Sequence, residues 1–173
     1  MTIEEYQKQA KRTCPSLGTE AMDLAHMVLG IGSEWNEFID AINKEDKVNI
    51  GEELADIMWY LANYCNFRNY SFNDMFNATS NPAVHSFSYY LSKLQDKVKK
   101  YLAYGKPIDE ELEVLDLKEI CRAIQSYYLG ENINMEESLD RNINKLKVRY
   151  PEKFTEELAI NRNIDAELIE LSK

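Results

Sequence analysis

The sequence predicts an all-α protein, a helical bundle, and three observations predict it. Apolar residues recur at helical spacing through most of the chain. Only 6 Gly and 4 Pro punctuate its 173 residues. No stretch carries the alternating pattern of a strand. At this length one domain buries a core without disulfides or structural metal. A single domain is expected over residues 1–160, with a polar tail at 161–173 that is free to fray.

Each element has its own signal. Thr2 with Glu5 three residues on forms a capping-box pattern for a first helix, which CPSLG at 14–18 ends. A second helix runs over about 20–42 on the stripe Leu24, Val28, Ile31, Trp35, Phe38, Ile42, and NKED breaks it. Asn49, followed by Glu52, is expected to cap a third helix with the stripe Ile50, Leu54, Ile57, Leu61, Tyr64. After RNYS come a short helical piece, a TSNP break and a long helix over about 84–104, ended by GKP. Another helix spans about 109–129 and stops at Gly130. Asn134 with Glu137 caps the last one, which ends at Tyr150 before Pro151.

The composition excludes several classes. No apolar run approaches the roughly 20 residues of a membrane span, and the N-terminal MTIEEYQKQAKRT lacks the apolar core of a secretory signal, so a cytoplasmic protein is expected. Cys14, Cys65 and Cys121 are scattered and odd in number, which argues for free thiols. The net charge of −10 opposes stable nucleic-acid binding. Half of the 20 Lys and Arg nevertheless sit in two stretches. Residues 93–106 hold Lys93, Lys97, Lys99, Lys100 and Lys106; residues 141–153 hold Arg141, Lys145, Lys147, Arg149 and Lys153. They suit a small polyanion whose charge metals also neutralise; the bland reading is a pair of solvated helix faces.

The second and third helices each carry two carboxylates three residues apart, Glu34 with Glu37 and Glu53 with Asp56. Residues at i and i+3 share a helix face. If the helices pack side by side, the four acids converge into an oxygen site suited to magnesium. Spacing alone is weak, because Glu110 with Glu113 and Glu137 with Asp140 repeat it. Context strengthens it: the two helices are consecutive, joined by a short turn, and Trp59 and Tyr60 lie beside the acids as stacking surfaces for a base. These rings could equally be core, and Trp35 is read as core. The only histidines, His26 and His85, are read as packing residues, and a di-iron bundle lacks the second Glu-x-x-His it would need.

A slide of 63 residues lays Glu53 on Asp116 and Asp56 on Glu119; a slightly shorter slide upstream lays His26 on His85, Glu37 on Asp96 and Glu34 on Lys93. One reading is a tandem pseudo-repeat. It would have an intact half over 1–80 and a degenerate copy over 83–154 that has exchanged an acid for a lysine. The other reading is coincidence between amphipathic helices.

The words GIGSEWNEFIDAI and EELADIMWYLANY resemble the two metal-binding helices of MazG-like nucleotide pyrophosphohydrolases, in the all-alpha NTP pyrophosphatase superfamily that includes the dimeric dUTPases. EEYQKQAKRT is similar to the first helix of compact, often phage-borne members, and NINKLKVRYPEKF to their closing segment. The resemblance implies that Glu34, Glu37, Glu53 and Asp56 bind Mg2+ or Mn2+, and that Asn142, Lys145 and Arg149 lie near the triphosphate. Ser33 and Asn36 depart from the common pattern, and the middle of the chain is covered only by the pseudo-repeat.

The expected activity is metal-dependent hydrolysis of a nucleoside or deoxynucleoside triphosphate to the monophosphate and pyrophosphate, in clean-up or control of the nucleotide pool. Glu37 or Glu52 would take the proton of the attacking water. Lys93 or Lys97 of the second half would reach the nucleotide, and the chain would be a homodimer or an intrachain pseudo-dimer. The alternative is a non-catalytic helical module, derived from such an enzyme, that binds a nucleotide or a protein.

Overall fold

The computed structural model describes residues 1–76 and 86–171. Among these every regular element is helical: α1 (Ile3–Arg12), α2 (Glu20–Asn43), α3 (Lys47–Arg68), α4 (Phe72–Met75), α5 (Phe87–Tyr104), α6 (Glu110–Gly130), α7 (Met135–Arg149), α8 (Glu156–Ile160) and α9 (Ile164–Leu171). The all-α expectation holds.

A turn of three residues, 44–46, folds α3 back antiparallel on α2, and this hairpin is the centre of the molecule. Leu24, Met27, Ile31 and Phe38 of α2 are fully buried, as are Leu54, Ile57, Met58 and Leu61 of α3. A second hairpin, α5 with α6, lies against the α2 side, while α1 and α7 lie against α3. Trp35 stacks on Phe87 with ring centroids 4.1 Å apart and also meets Phe38 and Tyr127, which makes it part of the core as expected. No helix among the described residues is long and apolar enough to cross a membrane. All three cysteines are free, and Cys65 and Cys121 are buried.

Most caps fall where the sequence places them. Thr2 and Glu5 form the reciprocal capping box of α1, and the Asn134 side chain accepts from the Glu137 amide at the start of α7. The third helix differs: Asp46, not Asn49, is its N-cap, and accepts from the amide of Asn49 at 3.2 Å. NKED supplies an Asx residue earlier than the one chosen, and the earlier one sits at the true end of the turn. The long helix expected from 84 starts at Phe87; the TSNP break, His85 and the junction between the two expected halves lie outside the described residues.

The tail is the larger difference. In place of a frayed segment, α9 packs against α7. Its contact is made by Glu167 and Leu171, both buried, with Glu167 bonded to Arg149 and Arg162. A polar composition reads as solvent-loving, but here the polar group is itself the docking contact.

Candidate active site

Because α2 and α3 run antiparallel, their facing i, i+3 pairs meet, and an oxygen from each of Glu34, Glu37 and Glu53 lies within 4.8 Å of the others. Glu37 is exposed, Glu34 half-buried, and Glu53 only 9% exposed. Three acids so placed resist full ionisation. Burial, then Asp56 and Glu37, raise Glu34 to about 7. Burial, then Asp56 and Glu34, raise Glu53 to about 9, and its hydrogen bond with Glu34 favours Glu53 as the carboxyl that keeps a proton. All the candidate ligand atoms are carboxylate oxygens, a hard donor set that fits Mg2+ or Mn2+, and a dication would relieve the repulsion.

Asp56 stands beside this trio rather than in it. Asn142 of α7 donates to its Oδ1 at 2.5 Å and the Lys145 ammonium meets its Oδ2 at 2.6 Å. Lys145 also donates to Glu52 at 3.1 Å. Asn142 is held in turn by the Tyr6 hydroxyl, 2.9 Å from its Oδ1. Burial works against the charge on Lys145, but Asp56 and Glu52 outweigh it and hold its pKa above the ordinary value. Thus Asn142 and Lys145 do reach the acids, through the acids' own oxygens.

A cavity of about 700 Å³ opens beside them. Its walls include Glu34, Asp56, Trp59, Tyr60, His26 and Arg149. The structure therefore brings two of the predicted metal ligands, both predicted aromatics and the predicted arginine to one space. Trp59 is fixed by donating its indole N–H to Thr13 Oγ1 at 3.0 Å, and Tyr60 meets it edge-on at 4.9 Å. Tyr60 also meets the His26 ring edge-on at 5.9 Å.

Other expected contacts go elsewhere. Lys93 does not line that cavity; it pairs with Asp116 at 3.2 Å, and Lys97 binds the second oxygen of the same carboxylate. Lys99 and Lys100 pair with Asp96. Four lysines of the first basic stretch are thus engaged by two carboxylates of their own hairpin. Lys93 and Asp116, which meet across α5 and α6, stand at the positions that the two slides of the sequence lay on Glu34 and Glu53. Arg149 is bonded to Glu167, a residue that sequence reasoning assigned to the tail. The only sequence signal for it was an acid at helical spacing from Ile164 and Leu171.

Residues 23–81 match the family model of the MazG nucleotide pyrophosphohydrolase domain, in agreement with the resemblance read from the two acidic words. Comparison with curated proteins and with solved structures returns no match. The matched segment covers α2 from Asp23 onward and all of α3, hence all four acids, and supports nucleotide pyrophosphohydrolase chemistry in general.

Proposed function

From a segment of the MazG type over residues 23–81 as premise, we propose that this chain hydrolyses a nucleoside or deoxynucleoside triphosphate to the monophosphate and pyrophosphate, with Mg2+ or Mn2+ as cofactor. The observation that carries the reading is the convergence of Glu34, Glu37 and Glu53 at the edge of a cavity walled by Trp59, Tyr60 and Arg149. Glu34, Glu37 and Glu53 would hold the cation, with Asp56 as the fourth ligand. When bound, the cation would neutralise phosphate charge and acidify the attacking water.

The chain's own residues do the rest. Trp59 and Tyr60, locked against each other and against Thr13 and His26, offer rigid aromatic faces to a base. Asn142 and Lys145 orient Asp56, and Lys145 offsets part of the negative charge that would otherwise repel a triphosphate. A general base has to be uncommitted to metal. Of the two expected candidates Glu37 converges with the ligands, whereas Glu52 stands apart on Lys145; Glu52 is the residue we assign to accept the water's proton. The α5–α6 hairpin is the altered second copy of α2–α3, with the Lys93 ammonium in place of an acid, so that the monomer is an intrachain pseudo-dimer.

The test is pyrophosphate release from a panel of canonical and modified nucleoside triphosphates with Mg2+ or Mn2+, comparing wild type with Glu53→Ala. Turnover by the wild type that disappears in the variant supports the hydrolase. No turnover by the wild type on any of them would falsify it and leave a helical binding module.

A further inference from the structure

Glu167 is buried, 2% exposed, and the function proposed above gives it no part. Its two oxygens grip one edge of the Arg149 guanidinium: Oε1 accepts from Nε at 3.0 Å and Oε2 accepts from Nη2. From the outer side Arg162 donates to Oε2 at 2.7 Å. A guanidinium carries five N–H groups in one rigid plane. Glu167 takes the N–H of Nε and one N–H of Nη2. Both N–H groups of Nη1 and the second of Nη2 lie outside that grip; the Tyr150 hydroxyl is a further hydrogen-bonding neighbour of the guanidinium, and one N–H of each Nη together form the end-on fork that matches a phosphate with two parallel hydrogen bonds. Arg149 lines the cavity that Glu34 and Asp56 also line.

The charges agree with this arrangement. Arg149 and Arg162 would repel each other; Glu167 between them leaves a trio with one net positive charge, and its member Arg149 lines a cavity whose carboxylates are Glu34, Asp56 and Glu156. Although burial opposes its ionisation, hydrogen bonds from Arg149 and Arg162 hold Glu167 down at about 2, so the grip is charged at any working pH. An arginine on a free side chain has to be ordered when its ligand arrives, and that ordering weakens binding. One already held on its rear edge is ordered beforehand.

We propose that Glu167 is a positioning residue: it holds Arg149 by one edge so that the open fork of the guanidinium meets a phosphate group of the substrate in the cavity. The inference rests on the nucleotide reading of that cavity. It assigns the C-terminal helix to the substrate site, a role for which its sequence carries no motif.

The test is calorimetric binding of inorganic triphosphate with Mg2+ to the full chain, for wild type, Glu167→Gln, Arg149→Ala and the double variant, with KM and kcat for nucleotide hydrolysis measured beside it. Glutamine keeps the size and one acceptor oxygen, so the fold is retained. Glu167→Gln is expected to bind roughly tenfold more weakly, with KM raised by a similar factor and kcat nearly unchanged. In the Arg149→Ala background it should add nothing, because the two residues act as one unit. A residue that only fastens α9 would lower Tm without that coupling. Binding by Glu167→Gln as tight as wild type or tighter, a loss that adds to that of Arg149→Ala, or no binding of triphosphate by the wild type overturns the proposal. Triphosphate binding with the expected pattern, but no turnover of any nucleotide, would remove the hydrolase and leave the positioning role standing.

Discussion

The ring of Tyr60 lies directly on the backbone of Gly30: a β-carbon built on that glycine would sit 2.2 Å from Cε1 of the ring. Any residue but glycine at position 30 collides with a cavity wall. This gives a physical reason for a glycine inside α2, where alanine would favour the helix by about 1 kcal/mol.

Gly30→Ala should therefore push Tyr60 out of its place between Trp59 and His26. The expected loss is about 1–3 kcal/mol of stability from overpacking, with KM raised more than kcat is lowered. Denaturant unfolding and steady-state kinetics check this. A variant at least as stable as wild type with unchanged KM would show that the ring has another resting place.

The raised carboxyls predict a pH dependence. Glu34, at about 7, and Glu53, at about 9, have folded-state values above their ordinary 4.5. The folded protein then holds protons that the unfolded chain has released. The stability tied to these groups is fully present below about 4.5 and is lost as pH rises through their folded values. Metal-free wild type should lose more stability between pH 5.5 and 8.5 than Glu53→Gln does. Mg2+ should recover more at the higher pH. Urea titrations with chelator or Mg2+ measure it, and parallel slopes for the two proteins would contradict the assignment.

Glu52→Gln separates proton transfer from metal binding. It removes the acid bonded to Lys145 while leaving the three converging carboxylates in place. The expected result is a fall in kcat of about 10²–10⁴-fold with Mn2+ affinity retained. If Glu37→Gln behaves this way instead, the base has been misassigned between them.

A different acid carries stability alone. Glu113 is fully buried and bonded to the hydroxyls of Tyr64 at 2.5 Å and Tyr70 at 2.7 Å, and to Arg68 at 2.8 Å. Glu113→Ala leaves the buried Tyr64 hydroxyl without its acceptor and Arg68 held by Glu20, and should cost about 1–3 kcal/mol for each group left unpaired, whereas Glu113→Gln, which keeps hydrogen bonds, should cost less. Activity per folded molecule should be unchanged in both. Thermal unfolding combined with active-site titration would expose a larger effect on turnover.

Local signals in the chain were legible where the interaction is local. Thr2 with Glu5 and Asn134 with Glu137 fix their helix starts within one turn, and the i, i+3 spacing of Glu34 with Glu37 leads to their convergence with Glu53. Asp46 was missed because NKED and Asn49 offer rival caps that differ only in where the turn closes. Long-range partners left no trace. Nothing near Gly30 announces a ring from α3, and Glu113 shares the spacing of an ordinary solvated pair with Glu110. Arg149 was expected to be near phosphate, but the carboxylate that holds it is 18 residues away, in a helix where Ile164, Leu168 and Ile169 stay exposed and an acid makes the contact.

The two hairpins handle like problems in unlike ways. Asp116 carries its counter-charge in the same polypeptide, supplied by Lys93 and Lys97, whereas the dication proposed above would bring that of Glu34, Glu37 and Glu53 from solution. On that proposal the α2–α3 hairpin depends on the ionic composition of its surroundings and the α5–α6 hairpin does not. Chelation should loosen α2 and α3 near their acids while α5 and α6 keep their protection from solvent exchange, so that half the molecule senses divalent cations and half serves as an inert frame for it.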